Sequence, residues 1–264
     1  MTRHGAVESS RATKGAAALL FACVGLGCGM PPGQFVIIQN QVPVGAEGCL
    51  VPADISPAFR GAGQMDVRLV SSGAEVGYAI FPVMRNNLPA ATEASDLNRI
   101  KVESFDVDIS LPADPADPDN LMPDAVRTLF TNLGESSPLL HYSVPFVASI
   151  ASGGGNTSAA VNAIPADLAR AIRGTGFLSS TAFAQVTTTI RARGTTDGGR
   201  SVVSDPFAYP VRVCDGCLIA SAPVCPVPSA PTHPGNVCNV AQDEPVDCCM
   251  NGSDLVCPPR VAGL

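Results

Sequence analysis

The cysteines of this chain are unevenly distributed, and their positions limit the folds that it can adopt. Seven of the ten cysteines lie in the segment 214–264. This segment has no Phe, Tyr or Trp, and it has eight prolines, which interrupt helices and central strands. Because it can bury little apolar surface, covalent cross-links must hold it in shape. The sequence therefore predicts a Cys/Pro-rich tail over 214–264 that is held together by disulfides.

The N-terminus has the features of an export signal. Arg3, Arg11 and Lys14 outnumber the single acid Glu8, and a short apolar run follows over 15–29. A positive start, a short apolar run and small residues at its end are typical of a secretory signal peptide. The run is shorter than the roughly 20 residues that a membrane-spanning helix needs. We therefore expect an exported protein.

A cysteine directly after such a run resembles the lipobox of bacterial lipoproteins. Leu20-Phe21-Ala22-Cys23 has a leucine three residues before the cysteine and a small residue directly before it, whereas Gly25-Leu26-Gly27-Cys28 has only the small residue. Lipidation of Cys28 would leave eight cysteines, enough for four disulfides, whereas lipidation of Cys23 would leave an odd number. We therefore favour Cys28, with Cys23 as the alternative and an ordinary cleaved signal as a third interpretation.

The lipobox resemblance implies a lipid anchor in a bacterial envelope membrane, with the outer membrane as the expected location. Residues 1–27 would be the lipoprotein signal peptide and 28–34 a tether. The expected partner is thus a membrane, reached through the N-terminal lipid. An envelope protein or a glycan is a further partner that the sequence leaves open.

The pairing of the remaining cysteines is partly constrained. Consecutive Cα atoms lie about 3.8 Å apart, closer than the roughly 4.4–6.8 Å usual across a disulfide, so Cys248 and Cys249 should have different partners. The tail holds an odd number of cysteines, so one of them should pair with Cys49 and fasten the tail to the rest of the chain. The predicted disulfide cysteines are Cys49, Cys214, Cys217, Cys225, Cys238, Cys248, Cys249 and Cys257.

The charge balance disfavours some classes of partner. Without residues 1–27 the chain carries 13 Lys and Arg against 22 Asp and Glu, a net charge of −9. Nucleic acid requires a basic surface, and anionic lipid requires basic clusters, so neither is expected to bind by charge. There is no Trp and few aromatic residues, which weakens a carbohydrate-binding interpretation.

Alternating apolar and polar residues predict strands over much of 35–213. Two alternating segments, 184–192 and 207–213, flank a glycine-rich turn over 194–199 and predict a hairpin. Pro206, just before the second segment, and Pro210 within it predict either an edge strand or an outward orientation of the prolines. In 100–111 the alternation changes phase near Ser104, which indicates a β-bulge. Weaker strand candidates are 35–40, 65–71, 77–85, 139–149 and 157–163.

Two segments have helical rather than alternating periodicity. They are 123–133 and 165–173, and each begins with a proline and is followed by a glycine. The predicted fold class is therefore all-β: an immunoglobulin-like β-sandwich over 35–213 with two short helical insertions, followed by the tail.

Candidate sites for chemistry are few. Cys214-Asp-Gly-Cys217 is a CxxC motif that allows a disulfide, a thiol–disulfide redox site or, with His233, a zinc site. We favour the disulfide, because no amphipathic helix follows the motif and the export context disfavours zinc. Three carboxylates, Asp114, Asp117 and Asp119, form a weak calcium candidate without the spacing of a calcium loop.

The sequence thus predicts a binding or structural module of the cell envelope that is not an enzyme and needs no cofactor. It contains no G-x-S-x-G, H-E-x-x-H or P-loop motif. The alternatives are an envelope enzyme, either hydrolytic or acting on disulfides through Cys214 and Cys217, and a carbohydrate-binding sandwich. A nucleophile–histidine–acid geometry in a pocket would favour the enzyme.

Overall fold

The structure is a computed structural model that describes residues 33–44, 49–70, 77–90, 95–112, 123–225 and 232–257. Several predictions therefore lie outside the described residues. They concern the signal peptide, most of the tether, both lipidation candidates Cys23 and Cys28, and the calcium candidate Asp114, Asp117 and Asp119.

Strands dominate the described chain, and the prediction of an all-β protein is confirmed. The first nine strands and the first helix are β1 (Phe35–Gln41), β2 (Phe59–Arg60), β3 (Gly63–Asp66), β4 (Tyr78–Ile80), β5 (Pro82–Asn86), β6 (Ile100–Ser110), α1 (Asp124–Leu133), β7 (His141–Ile150), β8 (Gly155–Ser158) and β9 (Val161–Ile164). There follow α2 (Ala166–Gly174), β10 (Phe183–Thr196), β11 (Ser201–Val203), β12 (Phe207–Cys214), β13 (Ile219–Ser221), β14 (Val246–Asp247), β15 (Cys249–Asn251) and β16 (Asp254–Val256).

The strands form two larger sheets and several small ones. One sheet has the order β2-β1-β5-β8, and the other has the order β3-β12-β10-β6-β7, with β11 paired to β10. The strand β4 pairs with β9 as a separate ribbon, and the tail adds the pairs β13-β14 and β15-β16. Residues from both larger sheets, both helices and the tail share one buried apolar cluster. The narrower expectation of an immunoglobulin-like sandwich remains a prediction.

The long strand β10 lies at the centre of the larger sheet, between β12 and β6. Its core face is buried and its opposite face is partly exposed, as the alternation predicts. The buried side chains between residues 184 and 192 are Ala184, Val186, Thr188, Ile190 and Ala192.

The predicted bulge is present in β6. Opposite β10, Arg193 pairs with Ser104 and Gly194 pairs with Val102, so Glu103 is the extra residue. The bulge lets both Val102 and Phe105 point into the core. Gly194 therefore belongs to β10 and not to the turn, which begins only at Asp197. A Cβ at Gly194 would clash with the Lys101 carbonyl, so this close approach requires glycine.

The strand β12 is not an edge strand, because it lies between β10 and β3. Tyr209, Val211 and Val213 are buried and Arg212 is exposed, as the alternation predicts, whereas Phe207, predicted to be buried on the same face, is only partly buried. The ladder with β3 runs from Val211 to Cys214. It therefore begins after Pro210, which could not donate a hydrogen bond to it.

The strand β7 forms one end of the larger sheet, with β6 as its neighbour. Opposite β6, Val102 pairs with Ala148 while Ser104 pairs with Pro145, so β7 carries one extra residue here. Val147 in this bulge is 91% exposed. Pro145 has no N–H to donate. Both features interrupt the regular hydrogen-bonding pattern of an edge.

Both predicted helices are present and amphipathic. Val126 and Phe130 of α1, and Leu168 and Ile172 of α2, are buried. Gly134 follows α1 with a φ of 72° and donates its N–H to the Phe130 carbonyl, as a C-terminal glycine does. Within the described part of the chain, no helix has the length and apolarity that crossing a membrane would require.

Replacing a core residue of β10 tests the assignment of its two faces. We expect Ile190→Ala to lower the free energy of unfolding by about 2–5 kcal/mol, because Ile190 is fully buried between two neighbouring strands. The control Thr189→Ala, on the opposite face, should cost less than about 1 kcal/mol. Urea unfolding of the oxidised protein measures both. Equal losses would mean that both faces of the strand are buried.

Candidate functional site

The tail begins at the last residue of β12 and packs directly on the sheets. Leu218, Ala241, Val246 and Cys248 belong to the same buried cluster as the residues of the larger sheets. The boundary at 213/214 is therefore a change in amino-acid composition, while one buried core includes residues from both sides of it.

Side-chain amides of the tail replace a neighbouring strand along β4. Gln242 Oε1 accepts a hydrogen bond from the Ala79 N–H at 3.0 Å, and Gln242 Nε2 donates to the Ala79 carbonyl at 3.1 Å. Asn239 Nδ2 donates to the Gly77 carbonyl at 2.8 Å. Because a buried backbone edge without partners is costly, these contacts let β4 be covered by a segment that has no long strand of its own.

Asn40 of β1 makes a similar hydrogen bond between a side-chain amide and the backbone, but from the sheet and not from the tail. Its Oδ1 accepts a hydrogen bond from the Phe81 N–H at 2.7 Å, and the neighbouring Gln41 N–H donates to the Phe81 carbonyl at 2.9 Å. We call the side chains of Asn40, Asn239 and Gln242 the carboxamide row. All three residues are buried. The row joins the tail to the sheets by hydrogen bonds to the backbone.

A buried carboxylate, Asp243, lies next to the carboxamide row. The Tyr78 hydroxyl donates to its oxygens at 2.9 and 3.1 Å, and the Gln64 N–H donates to Oδ1 at 2.9 Å. Arg60 Nε lies 3.5 Å from Oδ2. Burial raises the pKa of Asp243 above its ordinary value of 3.8, although the hydrogen bonds from Gln64 and Tyr78 and the charge of Arg60 oppose that shift. Tyr209 completes the cluster, with its hydroxyl 3.2 Å from that of Tyr78.

A small polar pocket opens beside this cluster. Its lining includes Asn40, Gln41, Arg60, Gln242 and Asp243. The pocket therefore offers hydrogen-bonding groups from both the sheet and the tail, and it contains neither a serine nor a histidine.

The eight described cysteines form four disulfides, so the prediction of disulfide bonds is confirmed. Cys49 is bonded to Cys238 across 189 residues, which fastens the tail to the rest of the chain. The neighbours Cys248 and Cys249 have different partners. The other three bonds are Cys214–Cys217, Cys225–Cys249 and Cys248–Cys257.

Cys49 and Asp243 are the described residues other than glycine that have a positive φ, at 64° and 69°. This backbone conformation costs an L residue about 1–2 kcal/mol. Cys49 carries the disulfide to the tail, and Asp243 carries the hydrogen bond to Tyr78. Both strained positions therefore lie where the tail is attached.

The CxxC disulfide has a buried carboxylate beside it. A carboxylate oxygen of Asp66 and the sulfurs of Cys214 and Cys217 lie within 4.8 Å of one another. Asp66 accepts hydrogen bonds from the N–H groups of Gly216 at 2.7 Å and Leu218 at 2.9 Å, which shapes the turn of the motif. Because Asp66 is fully buried, its pKa is raised above 3.8, although these N–H groups oppose the shift.

Charged side chains flank the turn of the CxxC motif. Asp215, inside the motif, binds the guanidinium groups of both Arg68 and Arg173. These two arginine side chains are about half exposed. Arg68 also lies against Gly216, since a Cβ at that glycine would come within 3.2 Å of Arg68 Cζ. Two guanidinium groups, held by one carboxylate, therefore lie at the turn beside the disulfide.

The disulfide limits the zinc interpretation of the motif. Zinc binds thiolates, and the sulfurs of Cys214 and Cys217 are bonded to each other. His233, the proposed further ligand, lies instead beside Asp247, 3.3 Å from Nδ1 to Oδ1. Among the described residues, the group that could hold a metal is Asp66 with the two cysteines, without a histidine.

Ser221, His233 and Asp247 lie together in the tail, but not as a catalytic triad. The Ser221 hydroxyl donates to Asp247 Oδ1 at 2.7 Å, so it contacts the acid and not the imidazole. The N–H groups of Thr232 and His233 donate to Asp247 Oδ2. The Ser221 hydroxyl and then the His233 N–H lower the pKa of Asp247 to about 2. A general base must contact the nucleophile. The hydrogen bonds of this cluster therefore connect separate segments of the tail and do not form a catalytic site.

The second described histidine, His141, lies on the exposed face of the larger sheet. Its Nδ1 is 2.7 Å from Asp108 Oδ1, and Arg191 binds the same carboxylate at 3.2 Å. The three side chains are each about 40% exposed. They form a surface charge cluster with no nucleophile among their partners.

Comparison with known proteins gives no match for this chain, whether with family models, curated sequences or solved structures.

Sequence reasoning missed three of the groups described above. Asp66 stands between Met65 and Val67 in an alternating run, where the pattern predicts an exposed side chain, so no local signal indicates its burial. Asp243 and the carboxamide row give no local signal either, because their partners lie far away along the chain.

Removing the Gln242 amide tests the carboxamide row. Gln242→Ala leaves both hydrogen-bonding groups of Ala79 without partners in a buried place. We expect the free energy of unfolding to fall by about 1–3 kcal/mol or more. Glu244→Ala, at a half-exposed carboxylate two residues away, is the control and should cost under about 1 kcal/mol. Similar losses in both variants would contradict the role of the row.

The buried acid predicts a pH effect at the tail. The pKa of Asp243 in the folded protein lies above the ordinary 3.8, so protonation of this group favours folding. That contribution is fully present below pH 3.8 and is lost as the pH rises through the raised pKa. Relative to Asp243→Asn, which retains an acceptor and tolerates the positive φ, the wild type should therefore gain stability as the pH falls from 7 towards 4. Urea midpoints at several pH values measure this, and a constant difference would contradict it.

Proposed function

We propose that this chain is an exported, lipid-anchored protein of a bacterial cell envelope that acts as a binding or structural module. The observation that carries the proposal is that all eight described cysteines are in disulfides. Such bonds persist in oxidising compartments outside the cytoplasm. The lipobox-like N-terminus supports attachment to a membrane.

The geometry of the polar groups supports a module that does not hydrolyse a substrate. In the described part of the chain, the imidazoles of His141 and His233 each bind a carboxylate at the surface, and neither imidazole has a serine hydroxyl or a cysteine sulfur among its hydrogen-bond partners. The pocket beside Asp243 is lined by amide and charged groups that already bind each other or the backbone. These features favour recognition or scaffolding over hydrolysis.

The attachment of the tail also supports a structural role. The Cys49–Cys238 bond closes a loop of 189 residues, and loops above 100 residues give a chain-entropy stabilisation near 5 kcal/mol. The carboxamide row adds hydrogen bonds at the same junction. A protein fixed in this way keeps one shape in a compartment without a cytoplasmic reducing environment.

Fatty-acid labelling of the full chain in a bacterial host tests the anchor. We expect the wild type to take up a radioactive fatty acid and to partition into detergent, and we expect Cys28→Ser to lose the label while Cys23→Ser retains it. Multiple acyl chains would be needed for stable attachment, because one chain binds only marginally.

Intact mass provides the second measurement. The labelled protein should gain eight hydrogen atoms on reduction, because four disulfides open. A wild-type protein that is soluble in the periplasm and takes up no label would contradict the anchor. Free thiols in the purified native protein at cysteines other than Cys214 and Cys217 would contradict the oxidised compartment.

A further inference from the structure

One of the four disulfides contributes little to holding the fold. Cys214 and Cys217 are three residues apart, whereas the other bonds span 189, 24 and 9 residues. In the chain-entropy account, the stabilisation by a disulfide increases with the length of the loop that it closes. Cys214 is also already held in the sheet, because it pairs with Phe183 of β10 and with Asp66 of β3. The position of this bond therefore calls for an explanation other than stability.

The two sulfurs of this bond have unequal environments. Cys214 is buried, at 2% exposure, whereas Cys217 is partly exposed. Gln64 Nε2 donates a hydrogen bond to Cys217 Sγ at 3.0 Å. A thiolate attacks a disulfide at a sulfur that it can reach, so an external thiol would attack Cys217 and release Cys214.

The surroundings of Cys214 are suited to its thiol form. A thiolate in this buried position would be an unpaired charge and therefore costly. Asp66 lies within 4.8 Å and can deliver a proton to the sulfur. Burial raises the pKa of Asp66, which makes its protonated form more accessible. The Met65 carbonyl oxygen lies 3.3 Å from Cys214 Sγ and can accept a hydrogen bond from the resulting thiol.

We propose that Cys214–Cys217 is an exchangeable disulfide that binds a thiol partner covalently at Cys217. The partner class is a cysteine-containing polypeptide in the same compartment. The flanking guanidinium groups of Arg68 and Arg173 favour the approach of a thiolate. The proposal uses residues that take no part in the proposed lipid attachment, so it goes beyond the envelope module and does not depend on its lipid.

The exchange balances without a further reagent. The partner thiolate attacks Cys217 Sγ, the Cys214–Cys217 bond breaks, and its electron pair stays on Cys214, which takes the proton from those molecules in which Asp66 is protonated. The product is a mixed disulfide between Cys217 and the partner. If the partner has a second thiol, that thiol can attack its own bound sulfur and release Cys217, so that the partner is oxidised by two electrons and the CxxC motif is reduced.

Glutathione and limited alkylation test the proposal on the folded, full-length protein. After brief exposure to reduced glutathione without denaturant, followed by acid quenching, peptide mapping should find the mixed disulfide at Cys217 and a free thiol at Cys214. Cys225–Cys249, whose two residues are also partly exposed but which closes a longer loop of 24 residues, is the internal control. We expect the Cys217 adduct to form about tenfold faster than an adduct at Cys225 or Cys249.

Asp66→Asn tests the proton delivery. It keeps one acceptor oxygen in place of the two that the Gly216 and Leu218 N–H groups use, and it loses the acidic proton, so adduct formation should slow by about tenfold at equal pH. The rate in the wild type should also vary with pH in a way that Asp66→Asn does not. Asp66 is faced by Asp215 and both cysteines, with Arg68 and Arg173 bound to Asp215, so Asp215→Asn serves as the control for a general charge effect.

If Asp66→Asn does not fold, Gln64→Ala provides a second variant, since the amide contacts Cys217 from the partly exposed side. It should lower the rate at Cys217 while leaving Cys225–Cys249 unchanged. Opening of all four disulfides together, or faster reaction at Cys225–Cys249, would overturn the proposal. Neither result would affect the fatty-acid label at the N-terminus, so failure of this proposal is distinguishable from failure of the envelope anchor.

Discussion

The attachment of the tail to the strand β4 is the constraint on which the C-terminal part of the structure depends. The tail has too little apolar surface to fold independently, so it must use surface that the sheets provide. It does this by presenting amides to backbone groups that would otherwise be buried without partners. Gln242 satisfies both groups of Ala79, and Cys49–Cys238 holds the two segments together covalently. The hydrogen bonds set the position of the tail, and the disulfide limits how far it can separate.

Two carboxylates are buried at the junction between the sheets and the tail, and burial makes the ionised form of each less stable. Asp243 accepts hydrogen bonds from Tyr78 and Gln64, and Asp66 accepts them from the turn of the CxxC motif. In both cases burial outweighs these hydrogen bonds and raises the pKa. Neutral side chains could satisfy many of the same donors. The two acids therefore fix the positions of their hydrogen-bond donors at a cost in free energy. At Asp66 the raised pKa also bears on the proposed exchange, in which the Cys214 sulfur takes up a proton.

Local patterns were sufficient to predict much of the fold. The faces of β10 and β12, the bulge beside Ser104 and both helices follow from periodicity within about ten residues. The edge interpretation of β12 was wrong, because pairing with the distant β3 leaves no local signal. That Cys248 and Cys249 have different disulfide partners was also predictable from adjacent residues alone, because consecutive Cα atoms are too close for the usual disulfide. The buried acids and the carboxamide row depend on contacts between residues 41 or more positions apart, which a pattern of nearby residues does not encode.

The bulge in the end strand β7 affects how copies of the protein can contact one another when they are crowded together. With the proposed lipid anchor, copies of the chain would diffuse in two dimensions and meet side by side far more often than the same molecules in solution. A straight, regular edge would then offer a template on which neighbouring copies could assemble into a continuous sheet. The extra residue opposite β6 and the missing donor of Pro145 prevent a long uninterrupted register along this side. Copies could therefore share a surface at high density and remain separate molecules.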